Sequence, residues 1–145
     1  MLNLDFLFFY KVFLFHYSKD RVMHIVFENC SIYFPFLSFV RSVKNVTPYQ
    51  FNEIGIVPCA VQGSIIQRWV KNGDLFNLAI KRYNNAIKNV TTINKYAVPF
   101  IAGIIFQQGE NNCDTKANSE NYNRDLKNVV NSFRKELGND TLPFI

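Results

Sequence analysis

The chain has 145 residues, 48% of them hydrophobic, and a formal net charge of +5. That is about one domain's worth of sequence with enough apolar material for a core, which excludes a disordered chain. Lys and Arg are scattered rather than run together, so the charge describes a solvated surface and not a nucleic-acid footprint.

Residues 2–17 are apolar but interrupted by Asp5, Lys11 and His16. A membrane helix needs roughly 20 apolar residues, and this run falls short. Asp5 and the lack of a small-residue cleavage site argue against a signal peptide. The remaining readings are a sheet strand or a leader outside the domain. Further on, Phe39, Val40 and Val43 can line one face of a short helix that ends by Pro48.

A first buried strand is expected over residues 54–60. Asp74 then stands as a candidate N-cap before Leu75, Leu78, Ala79, Ala86, Ile87 and Val90, which share one helical face. Residues 89–95 read as polar loop, and residues 98–106 as a second strand. Tyr122, Leu126, Val129, Val130, Phe133 and Leu137 form a second helical stripe. Asn118 or Ser119 can start that helix, and Gly138 ends it at C′. Residues 142–145 begin a third strand.

Alternating strands and helices with connections of this length imply parallel pairing and right-handed crossovers. The expected fold class is therefore α/β, a three-layer α/β/α sandwich with a parallel sheet. The three cysteines, Cys30, Cys59 and Cys113, show no Cys-x-x-Cys pair and no disulfide framework. Cys59 reads as a small core residue. Sequons at Asn29, Asn45, Asn89 and Asn139 permit a secretory route without arguing for one.

The first two expected strands stop abruptly at glycine-containing polar turns, Gln62-Gly63-Ser64 and Gln107-Gln108-Gly109-Glu110. Ligands of open α/β sheets bind beyond the carboxyl ends of the strands, so these turns are the candidate site. The block Gly55-Ile56-Val57-Pro58-Cys59-Ala60-Val61-Gln62-Gly63-Ser64, with Trp69 behind it and Gln108-Gly109-Glu110 after the second strand, resembles the sialate O-acetylesterase and plant carbohydrate esterase family of the SGNH-hydrolase superfamily. The resemblance covers residues 46–145 as the central part of such a domain. Residues 1–45 match it poorly.

The resemblance implies hydrolysis of O-acetyl groups on sugars through an acyl-serine intermediate. It implies an acetylated carbohydrate substrate, no metal and no organic cofactor. On it, the Gln108 amide and the backbone N–H of Gly63 belong to the oxyanion hole. Glu110 is either the acid partner of a histidine or a cap on the following turn. Trp69 is either core or a sugar-stacking ring, and Ser64 is a turn hydroxyl bonding local backbone. Gln62 replaces the first of two glycines, and Phe106 and Gln107 replace the more usual Trp and His or Tyr.

Such an esterase needs a serine nucleophile, a histidine base, an acid and oxyanion donors. The Gly-Gln-Ser-Asn and Asp-x-x-His blocks that supply nucleophile and base are absent, and the two histidines, His16 and His24, lie in no such motif. The chain as written is expected to be an incomplete, inactive domain. The alternative is a non-catalytic binding domain of the same fold. A flavodoxin-like cofactor-binding protein lacks support, because no phosphate-cradling glycine loop follows the first strand.

Overall fold

The computed structural model describes residues 11–17, 53–96, 98–113 and 115–145. The expected short helix around Phe39, together with His24, Cys30 and two of the sequons, lies outside the described residues. Three strands form one sheet: β1 (Lys11–Tyr17), β2 (Glu53–Pro58) and β3 (Phe100–Phe106), in the order β2-β1-β3. Two helices follow the strands, α1 (Asp74–Ile93) and α2 (Lys116–Glu136).

The sheet departs from the all-parallel expectation. β1 lies between β2 and β3 and pairs antiparallel with both, Val12 opposite Pro58 and Ile105. β1 falls in the apolar run for which a sheet strand was one of two readings, but its place between β2 and β3 was not expected. Because both run antiparallel to β1, β2 and β3 still point the same way. Their carboxyl ends reach one rim, beside the start of β1. The chain's last residues do pair in parallel: Phe144 bridges Ile104, with Ile104 N donating to Pro143 O at 2.9 Å and Ile145 N to Ile104 O at 2.9 Å. The described residues are thus α/β with a mixed sheet.

Helix α1 buries Leu75, Phe76, Ala79 and Ala86, much as its apolar spacing requires. Its start differs from expectation. Gly73, not Asp74, is the N-cap, and Asp74 is the first helical residue. A Cβ on residue 73 would lie 2.3 Å from Arg68 O, so only glycine fits there. Asp74 instead pairs with Arg68, Nη2 to Oδ2 at 2.6 Å, which holds its carboxyl below the usual carboxylate range. The helix also runs through the expected loop to Ile93. Thr91 and Thr92 donate their hydroxyls back to Ile87 O and Lys88 O, which satisfies them within the last turns of the helix.

Helix α2 is capped by Thr115, one turn earlier than expected, its Oγ1 accepting from Asn118 N at 3.2 Å. Its other end matches the sequence reading. Gly138 has φ 66°, Gly138 N donates to Lys135 O and Asn139 N to Arg134 O, a Schellman motif.

The core joins both helices to the strands: Val57, Cys59, Ile66, Trp69, Phe76, Ile104, Val129, Phe133 and Leu142 are all buried together. Phe76 and Phe133 bring α1 and α2 into contact at a ring separation of 4.7 Å. Trp69 meets Phe106 edge-on at 5.8 Å. That geometry suits the aromatic quadrupole and fixes the segment after β2 against the end of β3.

Candidate functional site

At the rim, the turn after β2 and the turn after β3 face each other. Gly63, Gln108 and Glu110 line one small hollow with Val61, Ser64, Gln107 and Asn111. Its volume is about 10 Å³, room for a single water-sized group.

The backbone explains why glycines stand here. Gly63 has φ +69° and Gly109 φ +152°, conformations that residues with a Cβ avoid. Gln62 is not among the residues of positive φ, the non-glycine example being Asn72. Glutamine in place of a glycine at position 62 therefore carries no backbone strain. The second turn, Glu110–Asn112, is a short 3-10 element. Its start is pinned by the Tyr122 hydroxyl of α2, which donates to Gln108 O.

Ser64 does not bond local backbone. It is buried, and its Oγ accepts from Trp69 Nε1 at 3.0 Å. Trp69 itself is 1% exposed, so it is core and has no face open to a sugar. Glu110 is exposed, and its side chain makes no cap on the turn it begins; the cap position belongs to Gly109.

Gln108 has a more particular arrangement. Its Nε2 donates to Ser64 O at 3.0 Å and to Asn112 Oδ1 at 2.8 Å, which uses both amide protons. Its Oε1 is buried with no hydrogen-bond partner among the described residues. Asn112 is the hub behind it. Only 1% exposed, it accepts from Ile66 N at 2.8 Å through Oδ1 and donates from Nδ2 to Gln67 Oε1 at 3.0 Å. Gln67 Nε2 in turn donates to Asp125 Oδ2 at 3.3 Å. Asp125 Oδ1 accepts from the Arg124 guanidinium at 3.1 Å. Asn112, Gln67 and Asp125 were not singled out by sequence reasoning, and Tyr122 was named only as part of the apolar stripe of α2. One signal was present: Asp125 sits on the buried side of α2, four residues before Val129, where a carboxylate must have a partner.

Tyr122 and Tyr83 have phenol pKa values raised above the usual 10.0, in both cases through burial first; at Tyr122 the charges of Glu110 and Cys113 add to it. The folded state therefore holds these protons more tightly than the unfolded chain. Stability from the neutral phenols is whole below about pH 10 and falls as pH rises through the folded values. Thermal melts between pH 8 and 11.5 should show a shallower alkaline decline for a Tyr83→Phe/Tyr122→Phe variant than for the parent. Equal slopes would contradict the burial of the two hydroxyls.

A hollow bounded by glycine turns lies at the carboxyl ends of two co-directional strands, the edge at which open α/β sheets place their ligands. The sequence profile of the family described as carbohydrate esterase, sialic acid-specific acetylesterase matches residues 19–145, and the chain belongs to that family. A curated relative, a probable carbohydrate esterase of Arabidopsis thaliana, is 26% identical over 111 residues, which is 77% of this chain. The chain spans 40% of that relative's length. No solved structure matches. Among the described residues, no helix is long and apolar enough to cross a membrane.

Proposed function

We infer that this chain is part of a carbohydrate O-acetylesterase, with acetylated sugar as substrate and the hollow of Gly63, Gln108 and Glu110 as its oxyanion side. The observation that carries the reading is the meeting of both glycine turns at one rim, in a chain of this family. The surrounding fold is then the three-layer SGNH-hydrolase sandwich, of which the described helices and strands are a portion. In that role the N–H of Gly63 stabilises developing charge on the acyl oxygen, and the Gln108 amide joins it by giving up one of its bonds to Ser64 O or Asn112 Oδ1. Losing one such donor typically costs roughly 10²–10³ in rate. Glu110 is the carboxylate available to orient an imidazole.

As written, the chain is inactive. Nucleophile and base must approach to about 2.6–3.2 Å. His16 pairs with Ile54 and Phe100 at the end of β1 away from the rim. It lies four positions along the strand from Val12, about 13 Å. Purified protein given p-nitrophenyl acetate should show no rate above that of a Gln108→Ala control. A clear excess over the control would defeat the inactivity.

A second reading has its own observation: both Gln108 amide protons are engaged within the protein. That favours a non-catalytic binding domain of the same fold. Transcript sequencing separates the two. Exons encoding Gly-Gln-Ser-Asn upstream and Asp-x-x-His downstream would favour the enzyme, and their absence the binding domain.

A further inference from the structure

Four side chains form a one-way hydrogen-bond chain. Gln108 donates to Asn112, Asn112 to Gln67, and Gln67 to the carboxylate of Asp125. Carboxamides can ordinarily be turned end for end, but these cannot. Ile66 N–H can only donate, and it faces Asn112 Oδ1. Ser64 O can only accept, and it faces Gln108 Nε2. A carboxylate only accepts, and Asp125 closes the far end. Turning Gln108 would set its oxygen against two other oxygens. The chain therefore fixes which end of the Gln108 amide is left over, and it is the oxygen.

The amide dipoles align head to tail toward an anion. Each bond polarises the next, a strengthening of about 10–30% per bond. The terminal oxygen, Gln108 Oε1, is thus an acceptor of enhanced strength. It is buried and unpartnered in a residue that lines the hollow. Buried acceptors without a donor are costly, so the site is built to receive one.

We propose that the hollow between Gly63 and Gln108 binds a hydrogen-bond donor, a neutral hydroxyl group, at Gln108 Oε1, and that Asp125, Gln67 and Asn112 are the positioning residues that set this polarity. The volume of about 10 Å³ admits one such group. A cation is disfavoured, because Glu110 is exposed and keeps its own hydration, leaving no buried charge to pair with it. The proposal rests on the reading of this hollow as the ligand site, and it gives Gln108 the opposite polarity from an oxyanion donor.

The test is NMR on the full ¹⁵N-labelled chain, following the Gln108 side-chain amide pair and the Gly63 and Ser64 backbone amides. Ethylene glycol, sodium acetate and methylammonium chloride are titrated separately at constant ionic strength. Glycol should bind saturably and at least threefold more tightly than either ion. Gln67→Leu breaks the chain outside the hollow and should weaken glycol at least threefold, with the Gln108 amide protons moving upfield and the far-UV circular dichroism unchanged. Asp125→Asn keeps an acceptor for Gln67 but removes the charge, and its effect should fall between those of the parent and Gln67→Leu. Tighter methylammonium binding overturns the proposal. So does unchanged glycol affinity in both variants. Saturable acetate binding overturns it while leaving the esterase reading standing, since a carboxylate oxygen needs the donor face of Gln108. Silence from all three probes overturns both.

Discussion

Trp69→Ala is expected to destabilise the protein by about 3–5 kcal/mol, the usual cost of truncating a buried large aromatic. The indole is 1% exposed and packs edge-on against Phe106. Its Nε1 also supplies the donor that Ser64 Oγ accepts in a buried position. Truncation leaves a cavity between the segment after β2 and the end of β3, and it strands a hydroxyl. Trp69 is the single tryptophan of the chain, so tryptophan fluorescence is lost with it. Urea unfolding followed by circular dichroism is the suitable measurement. A shift below about 1 kcal/mol would show that the indole is not in the core. Trp69→Phe should recover much of the packing but not the hydrogen bond.

Asn112→Ala should cost about 3–4 kcal/mol, a large effect for a residue in a short polar turn. Three groups lose a partner together: Ile66 N–H, Gln108 Nε2 and Gln67 Oε1. A buried donor or acceptor left unsatisfied costs about 1–3 kcal/mol. The summed figure allows for water reaching the half-buried glutamines. Asn112→Asp is the informative companion. An aspartate still accepts from Ile66 and Gln108 but cannot donate to Gln67. If both variants unfold at the same urea concentration, the donor to Gln67 accounts for the loss. If the aspartate variant is much closer to the parent, the two bonds at Oδ1 account for it.

These two residues show what the sequence could and could not disclose. Leu75, Ala79, Val129 and Phe133 were legible because helical packing repeats with a fixed period, and burial follows that period. Gly138 was legible because a left-handed C′ position selects glycine locally. The meeting of Gly63, Gln108 and Glu110 at one rim was legible because two apolar runs that end in glycine turns point the same way. Gly73 as a cap was not, since the atom that forbids a Cβ there is Arg68 O, placed by a turn rather than by periodicity. From sequence alone Ser64 reads as a local turn hydroxyl, yet its partner is Trp69, five residues on, inside the core. The Asn112 hub was hidden for a similar reason. Its bonds reach Ile66 and Gln67, far away in the chain, and polar contacts at that separation leave no repeat to read.

The place of β1 bears on how the molecule assembles. The sheet is closed by a segment near the amino terminus that must find two partners, one in the middle of the chain and one well beyond it. Such distant contacts require large loops to close before any pairing energy is returned, which slows folding relative to helix formation. Helices α1 and α2, whose bonds are local, can therefore form early, and the pairing of β1 with its two neighbours comes later.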